Sequence, residues 1–326
     1  MPDFTTPEYH VAGAGVPSEW AGDDQRWWDW YMTLAADPGA EPAQSAPVAP
    51  APLVAAASDR EVEEALGAPY LLSEEALAFF RRHGFVRLPG VLAPAVVAAL
   101  AQRADRLLET AYGPDNPGRF LALEQLWLTD PLMRAVALSR RLGDIAAQLI
   151  EVDAVRLYHD NILSKEPGCG RTPWHRDSDH YPLDSPAIVT SWMPLRDIPT
   201  ESGPLGCLSR QDASRALSGL SASPLRRAFD EQVTARLRQA GARPFAEPLS
   251  AGEVSFHAAD CFHTAGANRT TAPRRVLSTT YYADGTRIIP EPTPLSGAWT
   301  DFVPGIRPGD VAASALNPVV GAYPTT

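Results

Sequence analysis

Several features are scarce in this 326-residue sequence, and each scarcity excludes a class of protein. The three cysteines are irregularly spaced, so we expect neither a disulfide framework nor a zinc ribbon, and a reducing cytoplasm fits. No stretch approaches the roughly 18 uncharged apolar residues that indicate a membrane span. Residues 1–10 lack a basic start followed by an apolar run, so no secretory signal is expected.

Positive charge is also scarce, with 28 Lys and Arg against 39 Asp and Glu and a net charge of −11. Nucleic acid is not expected as a partner, because phosphate neutralisation needs clustered Lys and Arg. The apolar fraction of 45% is ordinary for a globular protein. We expect a cytoplasmic monomer or homodimer that does not bind a membrane.

The N-terminal region is rich in aromatic residues. Ser18 is a suitable helix cap, and five aromatic residues follow it before Ala36. So much aromatic surface predicts a helix that packs on the main domain, and a lid over an active-site mouth or a dimer contact is the alternative. The Pro- and Ala-rich residues 37–57 predict an extended linker, so the first unit spans residues 1–57 and the main domain spans residues 58–326.

The main domain starts with helix signals and continues with strand signals. Ser73 and Asp130 are plausible helix caps, and Pro94 suits a first helical turn. From about residue 151 to residue 284, short strand-like runs alternate with turns, and helical residues interrupt them at about 209–250. This order predicts a mainly β fold with helical flanks, namely a jelly-roll with helices inserted between strands.

The segment from Arg171 to Asp177 carries a candidate metal site. His175 and Asp177 are two residues apart, and such residues project from the same face of a strand. With His263 as the best third candidate, two histidines and one carboxylate leave three coordination positions open, which suits non-heme Fe(II) with a co-substrate and O2. Farther along, Arg274 and Arg275 enter the next strand-like run, where an arginine offers a planar fork for a carboxylate of a small dicarboxylic acid. These two neighbours are expected to point to opposite faces of the strand.

These residues belong to a longer series of motifs. Trp174-His175-Arg176-Asp177 is followed by a distal histidine, His263, and Arg274 comes eleven residues after it. Further motifs lie at residues 72–75, 83–86, 89–92, 202–205, 252–254 and 268–270. From about Leu72 to Asp284, the sequence resembles the phytanoyl-CoA dioxygenase family of Fe(II)/2-oxoglutarate oxygenases, which includes ectoine hydroxylase.

The resemblance implies a double-stranded β-helix core of the cupin-like type, with the cofactors Fe(II), 2-oxoglutarate and O2. It implies that His175, Asp177 and His263 hold the iron and that Arg274 binds the far carboxylate of 2-oxoglutarate. The expected reaction is hydroxylation, or another oxidation of a C–H bond, with release of succinate and CO2. Halogenation is not expected, because a small residue replaces the carboxylate of Asp177 in related halogenases. Further cofactor contacts implied by the family are Tyr158, Asn161, Thr190, Trp192 and Ser278.

Other residues near these motifs have less specific signals. The rival imidazoles His159, His180 and His257 are each expected to be polar surface or core residues, and for His159 and His257 a place in the pocket is the alternative. Asp179 is a rival carboxylate, but the strand is expected to have turned by that position. Trp174, Tyr181 and Phe256 are candidates for shaping the substrate pocket, with core packing at least equally expected.

The substrate is not defined by the resemblance. Leu208-Ser209-Arg210-Gln211 stands where the family usually has Pro-Gly-Ser-His, in a loop near substrate in relatives. This loop, the aromatic N-terminus and the inserted helices predict a specialised small molecule, such as an intermediate of natural-product biosynthesis. Two alternatives remain open: a non-oxidative metal-dependent jelly-roll enzyme (a hydrolase or isomerase), and a catalytically idle binding protein of the same fold.

Overall fold

A computed structural model provides the structure of residues 25–35 and 54–323. The predicted aromatic helix is present as α1 (Gln25–Tyr31), while Ser18 and most of the predicted linker lie outside the described residues. Within the described ranges, no helix is both long enough and apolar enough to cross a membrane.

The helices that precede the sheets begin where their capping residues predict. The side chains of Ser73 and Asp130 accept hydrogen bonds from amides of the first turn, and Pro94 occupies the first turn of the longest helix. Gly84 ends its helix at φ 82°, a left-handed conformation that glycine adopts without strain. These helices are α2 (Asp59–Gly67), α3 (Glu74–His83), α4 (Pro94–Tyr112), α5 (Pro131–Ala137) and α6 (Arg140–Leu149).

The strands form a larger and a smaller antiparallel sheet, and residues from both line one cavity. The strands are β1 (Phe85–Leu88), β2 (Phe120–Glu124), β3 (Ala154–Lys165), β4 (Thr172–His175), β5 (Ile188–Pro194), β6 (Leu205–Cys207), β7 (Val254–Ala258), β8 (His263–Ala265), β9 (Arg274–Ala283) and β10 (Val319–Ala322). The larger sheet has the order β1-β7-β5-β9-β3-β10, with β2 also paired to β3, and the smaller has the order β4-β8-β6. This arrangement confirms the predicted jelly-roll core with helical flanks.

Alternation along the central strands separates the main apolar core from the cavity. In β9, Leu277 and Tyr281 join the apolar cluster that includes side chains of α4, α5 and α6, whereas Arg274 lines the cavity. Arg275 faces the other way and pairs with Asp105 of α4. The predicted opposite orientation of these two neighbouring arginines is therefore confirmed.

The predicted helical insertion is present between β6 and β7. It consists of α7 (Arg210–Leu217) and α8 (Arg227–Ala240). Phe229 and Val233 of α8 are buried in one apolar cluster with Trp174 of β4. The insertion therefore packs directly against the strand that carries the first metal motif.

The aromatic helix α1 packs on β2. The side chain of Gln25 donates to the Phe120 carbonyl at 2.6 Å and accepts from the Ala122 amide at 3.2 Å. Asp29 pairs with Arg119 at 2.9 Å. This helix packs on the main domain and also forms one wall of the cavity, through Trp27, Trp28 and Tyr31.

Candidate metal and co-substrate site

Two neighbouring strands of the smaller sheet place two histidines opposite each other. His175 ends β4 and is paired in register with His263, which begins β8, with the ring centroids 4.0 Å apart. Asp177 completes the group: its Oδ1 lies 3.9 Å from His175 Nε2 and 3.5 Å from His263 Nε2. The three ligand atoms lie within 4.8 Å of one another, which is compact enough to surround one metal ion.

The local backbone at this site differs from the sequence prediction. His175 and Asp177 do not share a strand, because β4 ends at His175 and a 3-10 turn begins at Asp177. Arg176 between them stays extended at φ −125° and ψ 136°, which keeps both side chains on the same side. Asp179 lies in the turn and binds Arg176 at 2.5 Å, as expected for a carboxylate outside the ligand set.

Backbone carbonyls orient both imidazole rings. Nδ1 of His175 lies 2.9 Å from the Pro173 carbonyl, and Nδ1 of His263 lies 3.0 Å from the Cys261 carbonyl. Each Nδ1 therefore carries the proton, and each Nε2 presents a lone pair. Burial lowers the pKa of both histidines, which favours the neutral form that binds metals.

The carboxylate of Asp177 is held through one oxygen. Its Oδ2 accepts from the Thr190 hydroxyl at 2.7 Å and from His257 Nε2 at 3.2 Å, while Oδ1 faces the two histidine ligands. Burial by itself would raise the pKa of Asp177, but His263, His257 and His175 around it hold that pKa well below its usual value. The group is therefore an ionised carboxylate with one oxygen turned toward the two histidines, and Thr190 and His257 orient it.

A buried cation also lines the cavity. Arg274 is 4% exposed, and its guanidinium lies 5.2 Å from the ring centroid of Trp192. Its Nε and Nη1 have no hydrogen-bond partner among the described residues, and neither has Oδ1 of Asn161. Burial lowers the pKa of Arg274 to about 10, so it remains a cation near neutral pH. Orphaned donors on a buried cation fit a ligand carboxylate.

A single lysine supports the two strands that carry His175 and His263. Lys165 is the only lysine of the sequence, and its side chain is fully buried. Nζ donates to the carbonyls of Gly170, Ala265 and Gly266, at 2.8 Å in each case. The first carbonyl precedes β4 and the other two lie at the end of β8. Burial lowers the pKa of Lys165, yet three acceptors match the three N–H groups of an ammonium.

The inserted helix α8 also supports β4. Asp230 is 1% exposed and accepts from the Trp174 amide at 2.7 Å and from Arg171 at 2.5 Å. Since β4 is an edge strand, this amide has no neighbouring strand on that side, and the Asp230 carboxylate takes that place. The sequence analysis missed both Asp230 and Lys165. The isolation of the single lysine was the available signal for Lys165.

All of the predicted site residues lie in the same cavity. The rival imidazoles His159, His180 and His257 also line it, against the expectation of surface or core positions, although the pocket was the alternative for His159 and His257. His180 packs against α1, and its ring lies edge-on to the rings of Trp27 and Tyr31. The predicted site residues that line the cavity are His175, Asp177, His263, Arg274, Tyr158, Asn161, Thr190, Trp192 and Ser278.

Several solved structures resemble this one. SnoK, a non-heme α-ketoglutarate-dependent carbocyclase from nogalamycin biosynthesis, has a TM-score of 0.64 and 25% identity, covering 78% of this chain and 100% of its own. SnoN, an epimerase crystallised with Fe3+, α-ketoglutarate and nogalamycin RO, has a TM-score of 0.62 and 28% identity, covering 76% and 98%. EctD from S. alaskensis with bound Fe has a TM-score of 0.55 and 20% identity, covering 67% and 79%, and supports the fold alone.

The fold and these likenesses define the class, the non-heme iron enzymes that depend on 2-oxoglutarate, with Fe(II) and 2-oxoglutarate as cofactors. The sequence model of the phytanoyl-CoA dioxygenase (PhyH) family matches residues 80–276, more than half of the chain. The chain therefore belongs to this family. Among proteins of curated function, no sequence matches the chain significantly.

Proposed function

We propose that this enzyme oxidises a C–H bond of a small organic molecule, by hydroxylation in the first instance, and releases succinate and CO2. The observation that carries the proposal is the pairing, within one cavity, of the His175, Asp177 and His263 group with the orphaned guanidinium of Arg274. A non-oxidative metal enzyme would use the first feature, whereas the second favours a co-substrate that carries a carboxylate.

Different residues would hold the metal and the far end of the co-substrate. Nε2 of His175, Nε2 of His263 and Oδ1 of Asp177 would bind Fe(II), and Arg274 would bind the far carboxylate of 2-oxoglutarate. When bound, iron and 2-oxoglutarate supply the activation of O2 that permits attack on an unreactive C–H bond.

The protein itself supplies positioning and exclusion of water. Thr190 and His257 fix Asp177, so that a single oxygen faces the metal position. The ring of Trp192 covers the guanidinium of Arg274, which keeps water from the carboxylate-binding end. Asn161 and Ser278 line the same end and are proposed as further contacts to 2-oxoglutarate.

A natural-product intermediate is the proposed substrate class. SnoK and SnoN both come from nogalamycin biosynthesis, and SnoN was crystallised with nogalamycin RO. Their names also favour a second outcome for the same oxidative site, because one is a carbocyclase and the other an epimerase. Ring closure or stereochemical inversion therefore stands beside hydroxylation as the fate of the attacked carbon.

The test is anaerobic reconstitution with Fe(II), followed by visible spectra without and with 2-oxoglutarate. We expect a weak metal-to-ligand charge-transfer band with 2-oxoglutarate, absent in Arg274→Ala and retained in Arg275→Ala. Exposure to O2 should then release succinate from the wild-type protein. Bound metal without this band would favour a non-oxidative metal enzyme, and failure to bind metal would favour a non-catalytic protein.

A further inference from the structure

Three polar side chains line the cavity without a role in holding the metal or 2-oxoglutarate. Glu124 ends β2, His159 lies in β3, and Tyr181 follows the turn after the metal motif. Nδ1 of His159 lies 3.3 Å from Glu124 Oε2, and Nε2 lies 3.3 Å from the Tyr181 hydroxyl. Burying polar side chains among aromatic residues costs free energy unless they form hydrogen bonds, so the presence of these three in the cavity requires an explanation.

A β-bulge brings His159 to this wall. The register of β3 with β9 passes from Leu157 opposite Tyr281 to His159 opposite Thr280, which leaves Tyr158 as the extra residue. Tyr158 and His159 both line the cavity, although neighbours in a regular strand face opposite ways. The bulge therefore adds an imidazole to the cavity wall.

The direction of the hydrogen bonds follows from the carboxylate of Asp177. The Thr190 hydroxyl donates its single hydrogen to that carboxylate at 2.7 Å. Thr190 must therefore accept from the Thr280 hydroxyl, which lies 3.1 Å away. Thr280 in turn has no hydrogen left for the Tyr181 hydroxyl at 3.0 Å, so Tyr181 donates to Thr280.

This order sets the protonation of His159. Since Tyr181 has used its hydrogen, the contact at Nε2 of His159 requires an N–H on that nitrogen. The contact at Nδ1 requires a second N–H, because the Glu124 carboxylate only accepts. The network is complete when His159 is an imidazolium paired with Glu124, and its Nε2–H is then directed at the Tyr181 hydroxyl, which also lines the cavity.

We propose that His159 anchors the substrate, donating its Nε2–H to a carbonyl oxygen on a flat unsaturated ring system. This inference rests on the proposed function, because it concerns the substrate of that site. At 3.3 Å the contact with Tyr181 is longer than an ordinary hydrogen bond of about 2.9 Å, so a carbonyl oxygen is the better acceptor. A second residue of the same cavity carries an unused donor: Nε1 of Trp28 is buried without a hydrogen-bond partner in the described structure.

The ring system is inferred from the surroundings of these donors. Trp28 lies 5.0 Å from Phe120, and Phe302 packs edge-on against His159 at 5.3 Å, all measured between ring centroids. Aromatic walls favour flat ligands through offset and edge contacts. An ammonium ligand is the competing class, since Glu124 and the aromatic rings suit a cation, but it would leave both N–H donors unused.

The premise is tested by 15N NMR of histidine-labelled protein at neutral pH, with His159 assigned by its loss in His159→Gln. We expect both ring nitrogens of His159 to be protonated, and one of them to lose its proton in Glu124→Gln. A singly protonated His159 in the wild-type protein would overturn the proposal.

The ligand class is tested by equilibrium dialysis of the anaerobic Fe(II)- and 2-oxoglutarate-loaded protein with three probes that share one ring framework. 1-Tetralone carries the carbonyl, tetralin lacks it, and 1-aminotetralin carries an ammonium. We expect 1-tetralone to bind about tenfold more tightly than tetralin, as one hydrogen bond to a charged donor predicts. His159→Phe should remove that difference, while His83→Phe, outside the cavity, should retain it.

Two results would contradict the proposal: equal binding of 1-tetralone and tetralin, or tightest binding of 1-aminotetralin. Either can occur with the charge-transfer band intact, so failure of this inference is distinguishable from failure of the proposed function. Loss of the band with the carbonyl preference retained would instead contradict the proposed function and leave this inference standing.

Discussion

Replacing Arg274 by methionine should weaken 2-oxoglutarate binding by roughly 150-fold. Nε and Nη1 of this buried guanidinium have no partner in the part of the chain that the structure describes, so both are free for a carboxylate. Taking about 1.5 kcal/mol for each charge-assisted hydrogen bond gives about 3 kcal/mol, which corresponds to that factor. Methionine keeps a long side chain against Trp192 and removes only the charge and the donors.

The assay is an anaerobic titration of the Fe(II)-loaded protein with 2-oxoglutarate, followed by its charge-transfer band. Arg275→Met is the matched control, because Arg275 is the next residue of β9 but faces Asp105 of α4. It should leave the affinity within about twofold of wild type. The reasoning would be refuted if Arg274→Met bound 2-oxoglutarate within threefold of wild type, or if both variants lost affinity equally.

Three further substitutions test the supports of the metal site. Thr190→Val removes the hydrogen bond to Asp177 and should weaken Fe(II) binding about tenfold in an anaerobic metal titration, with thermal stability nearly unchanged. Asp230→Asn should weaken Fe(II) binding in the same titration, whereas Glu231→Gln, an exposed neighbour on α8, should not. Lys165→Met should lower the unfolding free energy in urea by about 3 kcal/mol, because three carbonyls lose their donor. Since burial lowers the pKa of Lys165 when folded, the unfolded chain binds more protons between that lowered pKa and about 10.4. Wild-type stability should therefore gain from rising pH in this window, and Lys165→Met should lose that gain.

The sequence by itself determined the features that depend on short spacing. His175 and Asp177 are separated by one extended residue, so they share a side whether or not the strand continues. Strand alternation likewise distinguished Arg274 from Arg275. The helix starts followed from their caps, because a capping side chain satisfies amides only two or three residues away.

The tertiary structure alone decided the features whose partners are distant in the chain. The pairing of His175 with His263 depends on the register of β4 with β8, and no local pattern encodes that register. Lys165 binds carbonyls up to 101 residues away, and Asp230 accepts a hydrogen bond from an amide 56 residues away. The position of His159 required a bulge in β3, since a bulge changes the face that a side chain occupies without a mark in the hydrophobic pattern. Local chemistry thus predicted the candidate metal ligands, and long-range packing decided how they are held and which further side chains line the cavity.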